Sequence, residues 1–468
     1  MYRTAHAIAP LPTREDGQLR LGNRPLVYPS MRPYARRVLL ATIGLLPLLG
    51  ALVSIGWMLA ATGHFGGGLA GFGRTVIALL SHPVGACVVI QSVYTGLLSI
   101  LWIKYKPFEA PKGAVLPKVS VVIPAFNEGP MVERSIRSVA TCSYPQELLE
   151  VIVVDDGSRD DTFFHMQRLR REHPTLVKLV RFKGNRGKRD ALVAGFRAAT
   201  GQILVTIDSD SEIESRTIEE MVAPFLADAE IGAVAGRVAV LNRDTVISRM
   251  LEVQYALAFD FGRAAQSTYR GVACCPGALS AFRREVVLPF LDEWASQTFL
   301  GRPVNHGEDQ ALTNIVLRQG YDTVYQRTAV VHTLAPVTYQ QMSRMFVRWD
   351  RSFIVEGFSF ARFMFSRYRE KNRLLPIVTF FVSNLRLFLF FYTLIQLPLL
   401  FQTNLTIIVH SALALLAGAM FTALYYLRIE RSFRFLYGAL YAVFSVFLLQ
   451  WILPWALLTV RDERWGTR

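Results

Sequence analysis

Lys118-Val119-Ser120-Val121-Val122-Ile123-Pro124-Ala125-Phe126-Asn127-Glu128 is a β-branched run that ends in a polar turn. Val119 to Ile123 reads as a strand, and the pattern recurs at Val151 to Val154, Leu176 to Phe182 and Ile203 to Ile207. Amphipathic stretches lie between and after these runs, at about residues 131–140, 160–172, 188–199 and 216–227. Short β-branched runs alternating with helical periodicity imply an α/β domain, a mostly parallel sheet covered by helices. Ligands in such sheets bind at the carboxyl ends of the strands. The polar residues at those ends are therefore the candidate site.

Outward from this core the chain becomes apolar. It has 468 residues, 52% of them hydrophobic, and a formal charge of +15. Mean hydropathy is positive. This is high for a purely soluble enzyme and modest for an all-membrane bundle, which points to a mixed architecture. Val38 to Ala61 and Thr75 to Ile103 are each long enough to cross a hydrocarbon core of roughly 30 Å. The first begins too far into the chain, and runs too long, to read as a signal peptide. Arg32, Arg36 and Arg37 precede the first stretch, and Lys104, Lys106 and Lys112 follow the second. The positive-inside rule then places both flanks in the cytosol. Basic residues crowd the edges of apolar segments and are not interleaved with aromatics, so membrane orientation accounts for the charge better than nucleic acid, which is not expected as a partner. The four cysteines (Cys87, Cys142, Cys274 and Cys275) show neither metal-ligand nor secreted-framework spacing.

The strand ends carry particular chemistry. Pro124, Asn127 and Glu128 close the first. Asp155-Asp156-Gly157-Ser158 closes the second. Carboxylates there can accept from a uracil imide and ribose hydroxyls, and the glycine lets the backbone turn closely under a ring. The same residues also suit a plain strand–turn–helix N-cap. Asp208-Ser209-Asp210 closes the fourth strand. With i, i+2 spacing the two carboxylates fall on one side and can share a divalent cation with a diphosphate; simple capping of the next helix is the alternative. Lys188 and Arg189 open a helix and suit a diphosphate pocket, or else a solvated basic face. Gly307-Glu308-Asp309 opens another helix, where a carboxylate could deprotonate an acceptor hydroxyl. Cys274 to Gly277 forms a bend that lines an acceptor path or packs in the core.

Pro-Ala-Phe-Asn-Glu, Asp-Asp-Gly-Ser, Gly-Lys-Arg, Asp-Ser-Asp, Gly-Glu-Asp and Arg348-Trp349, in this order, resemble family 2 glycosyltransferases of GT-A fold, in particular hyaluronan synthases and rhizobial chitin-oligosaccharide synthases. The resemblance covers about residues 118–355 and returns at the C-terminus. It implies a UDP-sugar donor and a growing polysaccharide acceptor. It also implies uridine contact by Asp155 and Asp156, Mn²⁺ or Mg²⁺ on Asp208 and Asp210, diphosphate binding by Arg348, and Asp309 as general base beside Glu308. Only one catalytic carboxylate is evident on the acceptor side, which implies direct inversion to a β-linked product. Single-sugar transfer to a lipid phosphate carrier is the alternative activity. Those relatives carry glutamine three residues before the arginine, whereas this chain has Met345.

The expected organisation is a cytosolic segment at 1–37, two transmembrane helices within 38–103, a cytosolic catalytic domain at 104–338, and interfacial helices at 339–372. Two further transmembrane helices within 373–427 and an interfacial helix with a terminal tail at 428–468 complete it. The protein is thus expected in the inner (plasma) membrane with its catalytic domain cytosolic. Arg386 would lie within the third span, where an arginine faces a cavity or a partner. Trp465-Gly466-Thr467-Arg468 resembles the gating loop of hyaluronan synthases, with Trp465, Thr467 and Arg468 as substrate-binding candidates. The tail reaches a cytosolic site if Phe435 to Val460, broken at Pro454, lies in the interface rather than across the bilayer. Deleting Trp465 to Arg468 is expected to cut polymer synthesis sharply while leaving membrane insertion intact. A cysteine at Thr467 should be labelled from the cytosolic side alone; labelling from outside would refute the four-span arrangement.

Overall fold

A computed structural model describes residues 83–366, 368–369, 371–403, 426 and 433–462. In chain order the elements are α1 (Pro83–Lys104), β1 (Val119–Ala125), α2 (Met131–Ala140), β2 (Leu149–Asp155), α3 (Thr162–Glu172), β3 (Val177–Arg181), α4 (Lys188–Ala198), β4 (Ile203–Ile207), β5 (Ser211–Ile213) and α5 (Thr217–Ala227). Then come β6 (Ile231–Val240), α6 (Val246–Ala256), a π-helical turn (Leu257–Phe261), α7 (Gly262–Thr268), β7 (Leu279–Arg283), α8 (Arg284–Val287), α9 (Leu291–Ala295) and the hairpin β8 (Thr298–Phe299) and β9 (Arg302–Pro303). The chain continues through α10 (Glu308–Arg318), β10 (Asp322–Thr333), α11 (Tyr339–Phe363), α12 (Leu374–Thr403), α13 (Leu436–Leu448) and α14 (Ile452–Leu458).

Eight strands form one sheet in the order β3-β2-β1-β4-β7-β6-β10-β5. The half read from the sequence is parallel: Val121 pairs with Val151 on one side and Val205 on the other. The other half mixes directions. β7 runs antiparallel to both β4 and β6, β6 and β10 are parallel, and β5 returns antiparallel to β10. β6, β7 and β10 escaped the sequence reading because glycines, arginines and hydroxyls interrupt their β-branched runs. Their pairing depends on partners 45 to 122 residues away, as in Ala235 with Ser280 and Thr333 with Ser211, on the scale by which β-propensity yields to context.

β1, β2 and β4 are buried along their whole length. Ile136 of α2, Met166 of α3 and Met221 of α5 fill one face of the sheet. α4 covers β1 so closely that a side chain on Gly195 would overlap Val122. The helices of the parallel half begin at or within two residues of the expected positions. Within the expected interfacial segment at 339–372 the chain forms one long helix, α11, started by a capping box in which Thr338 Oγ1 accepts the Gln341 N–H at 3.2 Å. The break expected at Pro454 falls earlier, at Leu449–Trp451, between α13 and α14. Pro454 sits in the first turn of α14, where its missing N–H breaks no helical bond.

Among the described residues no helix is long and apolar enough to cross a membrane. The expected span at 38–61, most of the one at 405–427, and the tail residues Trp465, Thr467 and Arg468 lie outside the described residues, as does the Arg386 side chain. α1 is tied to the domain by Tyr94, whose hydroxyl donates to Thr379 Oγ1 of α12 at 2.9 Å, and by Tyr105, which donates to the Tyr325 carbonyl at 2.9 Å.

Gly195→Ala is expected to destabilise the domain by about 1–3 kcal/mol, because Val122 is enclosed and cannot yield. The helix-propensity gain of ~1 kcal/mol is the smaller effect. Thermal unfolding checks this; an unchanged or raised Tm would mean that α4 can lift off β1 freely.

Candidate active site

The first strand ends build a frame. Asn127 adopts φ 53° just beyond β1. Its N–H donates to Ser158 Oγ at 3.0 Å and its Oδ1 accepts the Arg159 N–H at 2.9 Å, stitching the turns after β1 and β2 together. The N–H groups of Glu128 and Gly129 both donate to Thr162 Oγ1 at 2.8 Å. Pro124 is a buried member of β1, in register with Val154. Asp155 is fully buried, accepts the Ser158 N–H at 2.9 Å and pairs with Arg181 Nε at 2.9 Å. Asp156 accepts the N–H groups of Arg186 at 2.7 Å and Gly187 at 2.9 Å and the Asn185 amide at 3.0 Å. Burial raises its carboxyl above the ordinary range despite those donors. Both carboxylates are thus committed to protein donors, and Asp156 fixes the loop that leads into Lys188. Gly157 is required here: at φ 73° it lies against Gly184, where a Cβ would collide with backbone.

Lys188 is the centre of the site. Its Nζ bridges Asp208 Oδ1 at 2.6 Å and Glu308 Oε1 at 2.9 Å. Burial alone would lower its pKa, but the two carboxylates outweigh burial and hold it above its usual value. Burial alone would raise Glu308, yet Lys188 and then Arg348 hold its carboxyl below the ordinary range. Gly277 leaves room for the bridge, since a Cβ there would lie 2.7 Å from Lys188 Nζ.

Two expectations change at this point. Arg189 does not join Lys188 in a phosphate pocket. It is turned inward, donating from Nη1 to the Trp294 carbonyl at 3.0 Å and Gln297 Oε1 at 2.7 Å, and from Nη2 to the His306 carbonyl at 3.3 Å. The next residue of a helix points about 100° away around the axis, so Lys188 and Arg189 cannot share a face. Asp208 and Asp210 do not alternate on a strand either. β4 stops at Ile207, and the Ser211 N–H donates to the Asp208 carbonyl at 3.1 Å, so the pair sits in a turn. Asp210 Oδ1 accepts from Thr333 Oγ1 of β10 at 3.3 Å.

Glu308 and Asp309 start α10 behind Gly307 in a left-handed conformation (φ 70°), where a side chain would overlap Ser352 of α11. Asp309 Oδ2 accepts the Gly277 N–H at 3.1 Å and the Cys274 thiol at 3.7 Å, and Oδ1 accepts its neighbour Gln310 N–H at 2.8 Å. Burial and then the Glu308 charge raise its pKa, with Lys188 and the two backbone donors opposing. A carboxyl so raised is a stronger base than a solvated one. The Cys274 to Gly277 bend therefore serves the site directly.

α11 supplies the remaining wall. Trp349 packs in an aromatic cluster, edge-on to Phe259 at 5.9 Å and Phe346 at 5.4 Å and tilted on Tyr255 at 6.0 Å. Arg348 lies close enough for its charge to act on Glu308, His306 and Tyr255. Met345 takes the Tyr255 hydroxyl on its sulfur at 3.3 Å. Sequence reasoning missed Tyr255 and Phe259, which carry no local signal and meet Trp349 through the fold alone. It also missed His306, whose pKa is lowered to about 4 by burial and then by the Arg351 and Arg189 charges, which leaves it neutral near pH 7.

A family model described as "Glycosyltransferase like family 2" matches residues 117–352. The chain belongs to glycosyltransferase family 2. An N-acetylglucosaminyltransferase of Azorhizobium caulinodans is 31% identical over 75% of this chain and 87% of its own length. A hyaluronan synthase of Streptococcus pyogenes is 30% identical over 83% of this chain and 91% of its own. Among solved structures, the mannosyltransferase PcManGT of Pyrobaculum calidifontis, in complex with GDP-Man and Mn²⁺, covers 80% of this chain and 99% of its own at 23% identity and a TM-score of 0.52, a likeness of GT-A fold. This protein is a glycosyltransferase, and the Lys188 cluster is its candidate active site.

In this glycosyltransferase Lys188→Met would strand the buried Glu308 carboxylate. Breaking a buried pair from one side costs about 3–5 kcal/mol. Adding Glu308→Gln should recover much of that loss. Because Glu308 is depressed, its share of stability is present above the ordinary carboxylate range and is lost as pH falls through the lowered value. Thermal unfolding of the single and double variants against pH checks this; a Lys188→Met protein as stable as the parent would overturn it.

Proposed function

We propose that this glycosyltransferase is a processive, inverting synthase that polymerises a β-linked polysaccharide from a cytosolic UDP-sugar, of the UDP-GlcNAc or UDP-glucose type, and passes it across the membrane. The observation that carries the reading is Asp309. A carboxyl of raised pKa, fixed by Gly277 and Cys274, stands beside the Lys188–Asp208–Glu308 cluster and in front of α11 with Arg348 and Trp349. The names of the two relatives agree with polymer synthesis.

In this reading Asp309 takes the proton from an acceptor hydroxyl, and that oxygen attacks the anomeric carbon from the side opposite the leaving UDP. Asn127, Glu128, Asp155 and Asp156 frame the nucleoside end, and Lys188 and Arg348 face the diphosphate. Trp349 offers an aromatic face to the acceptor sugar, which favours a saccharide over a lipid phosphate as acceptor. Asp208 and Asp210 present hard oxygen donors on one turn. Among the described residues no group of three or more acidic, His or Cys side chains could hold a metal by itself. Two carboxylates suit Mn²⁺ or Mg²⁺ shared with a diphosphate, because such ions are commonly held by one or two carboxylates plus substrate phosphates. The ion would offset charge on the departing diphosphate.

The membrane placement rests on the apolar stretches and their basic flanks. Exposed apolar side chains on α1 (Ile90, Val93), α12 (Leu374, Phe381) and α13 (Val443, Phe447) are consistent with lipid contact.

Asp309→Asn in the full chain should lower turnover about 10²–10⁴-fold while UDP still binds. The acid limb of the parent's rate profile should fall at a pH above the ordinary carboxylate range, since Asp309 must lose its proton to act. EDTA should stop synthesis, and Mn²⁺ or Mg²⁺ should restore it. Near-parental turnover by Asp309→Asn, undiminished synthesis in EDTA, or an α-linked product would each defeat the corresponding step.

A further inference from the structure

The β8–β9 hairpin turns through Leu300 and Gly301, and both its tip residues and their flanks Thr298, Arg302 and Pro303 are exposed. The tip backbone is left-handed, with φ 48° at Leu300 and 75° at Gly301. Two-residue turns of this kind favour Asn-Gly or Asp-Gly, because a bulky side chain is disfavoured at positive φ. Among the described non-glycine residues with positive φ, Leu300 is the apolar one; the others are Asn127, Arg270 and Asn372. Its side chain is nonetheless 63% exposed. For a domain surrounded by water this leucine is unfavourable twice over, in its backbone and in its exposure.

The hairpin is continuous with an apolar flank of α11 and α12. Phe299 packs on Phe358 of α11 at 5.6 Å, and Phe358 is itself exposed. Beside it Gly357 lies against α12, where a Cβ would be 3.6 Å from Phe380. Phe380 meets Phe381 at 5.6 Å, and Phe381 meets Phe365 at 6.4 Å, the last two being exposed. This cluster occupies the first turns of α12, in the segment that carries two of the expected spans. Arg302 on the hairpin and Arg362, one turn beyond Phe358 on α11, are exposed along the same flank. The base of the hairpin reaches the site. The Val304 N–H donates to the Gln297 carbonyl at 3.0 Å, and the Gln297 side chain sits between Arg189 of α4 and Glu356 of α11.

We propose that the β8–β9 hairpin is a membrane anchor, with Leu300 and Phe299 seated among lipid acyl chains just below the headgroups. A bilayer removes the second of the two anomalies and gives a reason for the first, since it buries an apolar tip with no protein partner. Arg302 has a stem long enough to keep its charge in the headgroup layer while the tip lies deeper. Through Gln297 the anchor holds the helix of Lys188 at a fixed depth beneath the bilayer. The inference rests on the reading of α12 as membrane-embedded.

The test uses the full chain in vesicles of phosphatidylcholine and phosphatidylglycerol, with iodide on both sides of the membrane. Leu300→Cys, Val115→Cys and Phe381→Cys are labelled in turn with an environment-sensitive fluorophore, and the signal from the parent's own cysteines is subtracted. Val115, 88% exposed in the linker before β1, marks water; Phe381 marks lipid. The Leu300→Cys label should emit at shorter wavelength than the Val115→Cys label and lose most of its quenching by iodide. Lipids with a nitroxide high on the acyl chain should quench it severalfold more strongly. Iodide quenching equal to that at Val115→Cys would overturn the proposal. Protection from iodide and lipid nitroxide alike would seat the tip against protein and overturn it too. An iodide-open Phe381→Cys would reject the membrane reading of α12, whereas lipid quenching there beside an iodide-open Leu300→Cys would sink the hairpin anchor alone.

Discussion

A single ammonium group holds the site together. Lys188 opens α4, Asp208 follows β4 and Glu308 opens α10, and these three points are 20 and 100 residues apart in the chain. Bringing two carboxylates together in a buried place is unfavourable unless a cation lies between them. The Lys188 bridge meets that requirement, and it sets the distance between the turn that carries Asp208 and the loop that carries Asp309. The raised pKa of Asp309 depends on the same arrangement, because the Glu308 charge one residue away is one of its causes.

Neighbouring contacts keep this bridge in place. Asp156 grips the backbone of residues 185–187 and so fixes where α4 begins. Arg189, facing the other way, anchors the same helix to the segment from Trp294 to His306. Gly307 lets α10 start against Ser352, which ties the loop that carries Asp309 to α11. α11 in turn is joined to α14 by Arg351, whose Nη2 donates to Thr459 Oγ1 at 2.8 Å. The segment that precedes the C-terminal tail is therefore mechanically connected to the helix carrying Arg348 and Trp349.

The departure from the relatives at Met345 also finds a physical setting. Its thioether accepts from Tyr255 and forms part of the aromatic wall with Trp349 and Phe259. A sulfur fits an apolar, polarizable surrounding better than an amide, which would demand several hydrogen bonds at a buried position. The wall around Trp349 is consequently more apolar here.

By itself the sequence determined the parallel half of the sheet, the helices between its strands and the polar residues at their ends. Those features are local: β-branched runs, helical periodicity and turn chemistry act over a dozen residues. The ordered motifs also settled the family, and Asp309, Lys188 and Trp349 were legible as candidates. Only the tertiary structure decided that β7 runs against its neighbours, that Arg189 turns inward, that Asp156 serves a loop, and that Tyr255 and Phe259 meet Trp349. Each of these depends on contacts between segments far apart in the chain, where burial and charge pairing override any local preference.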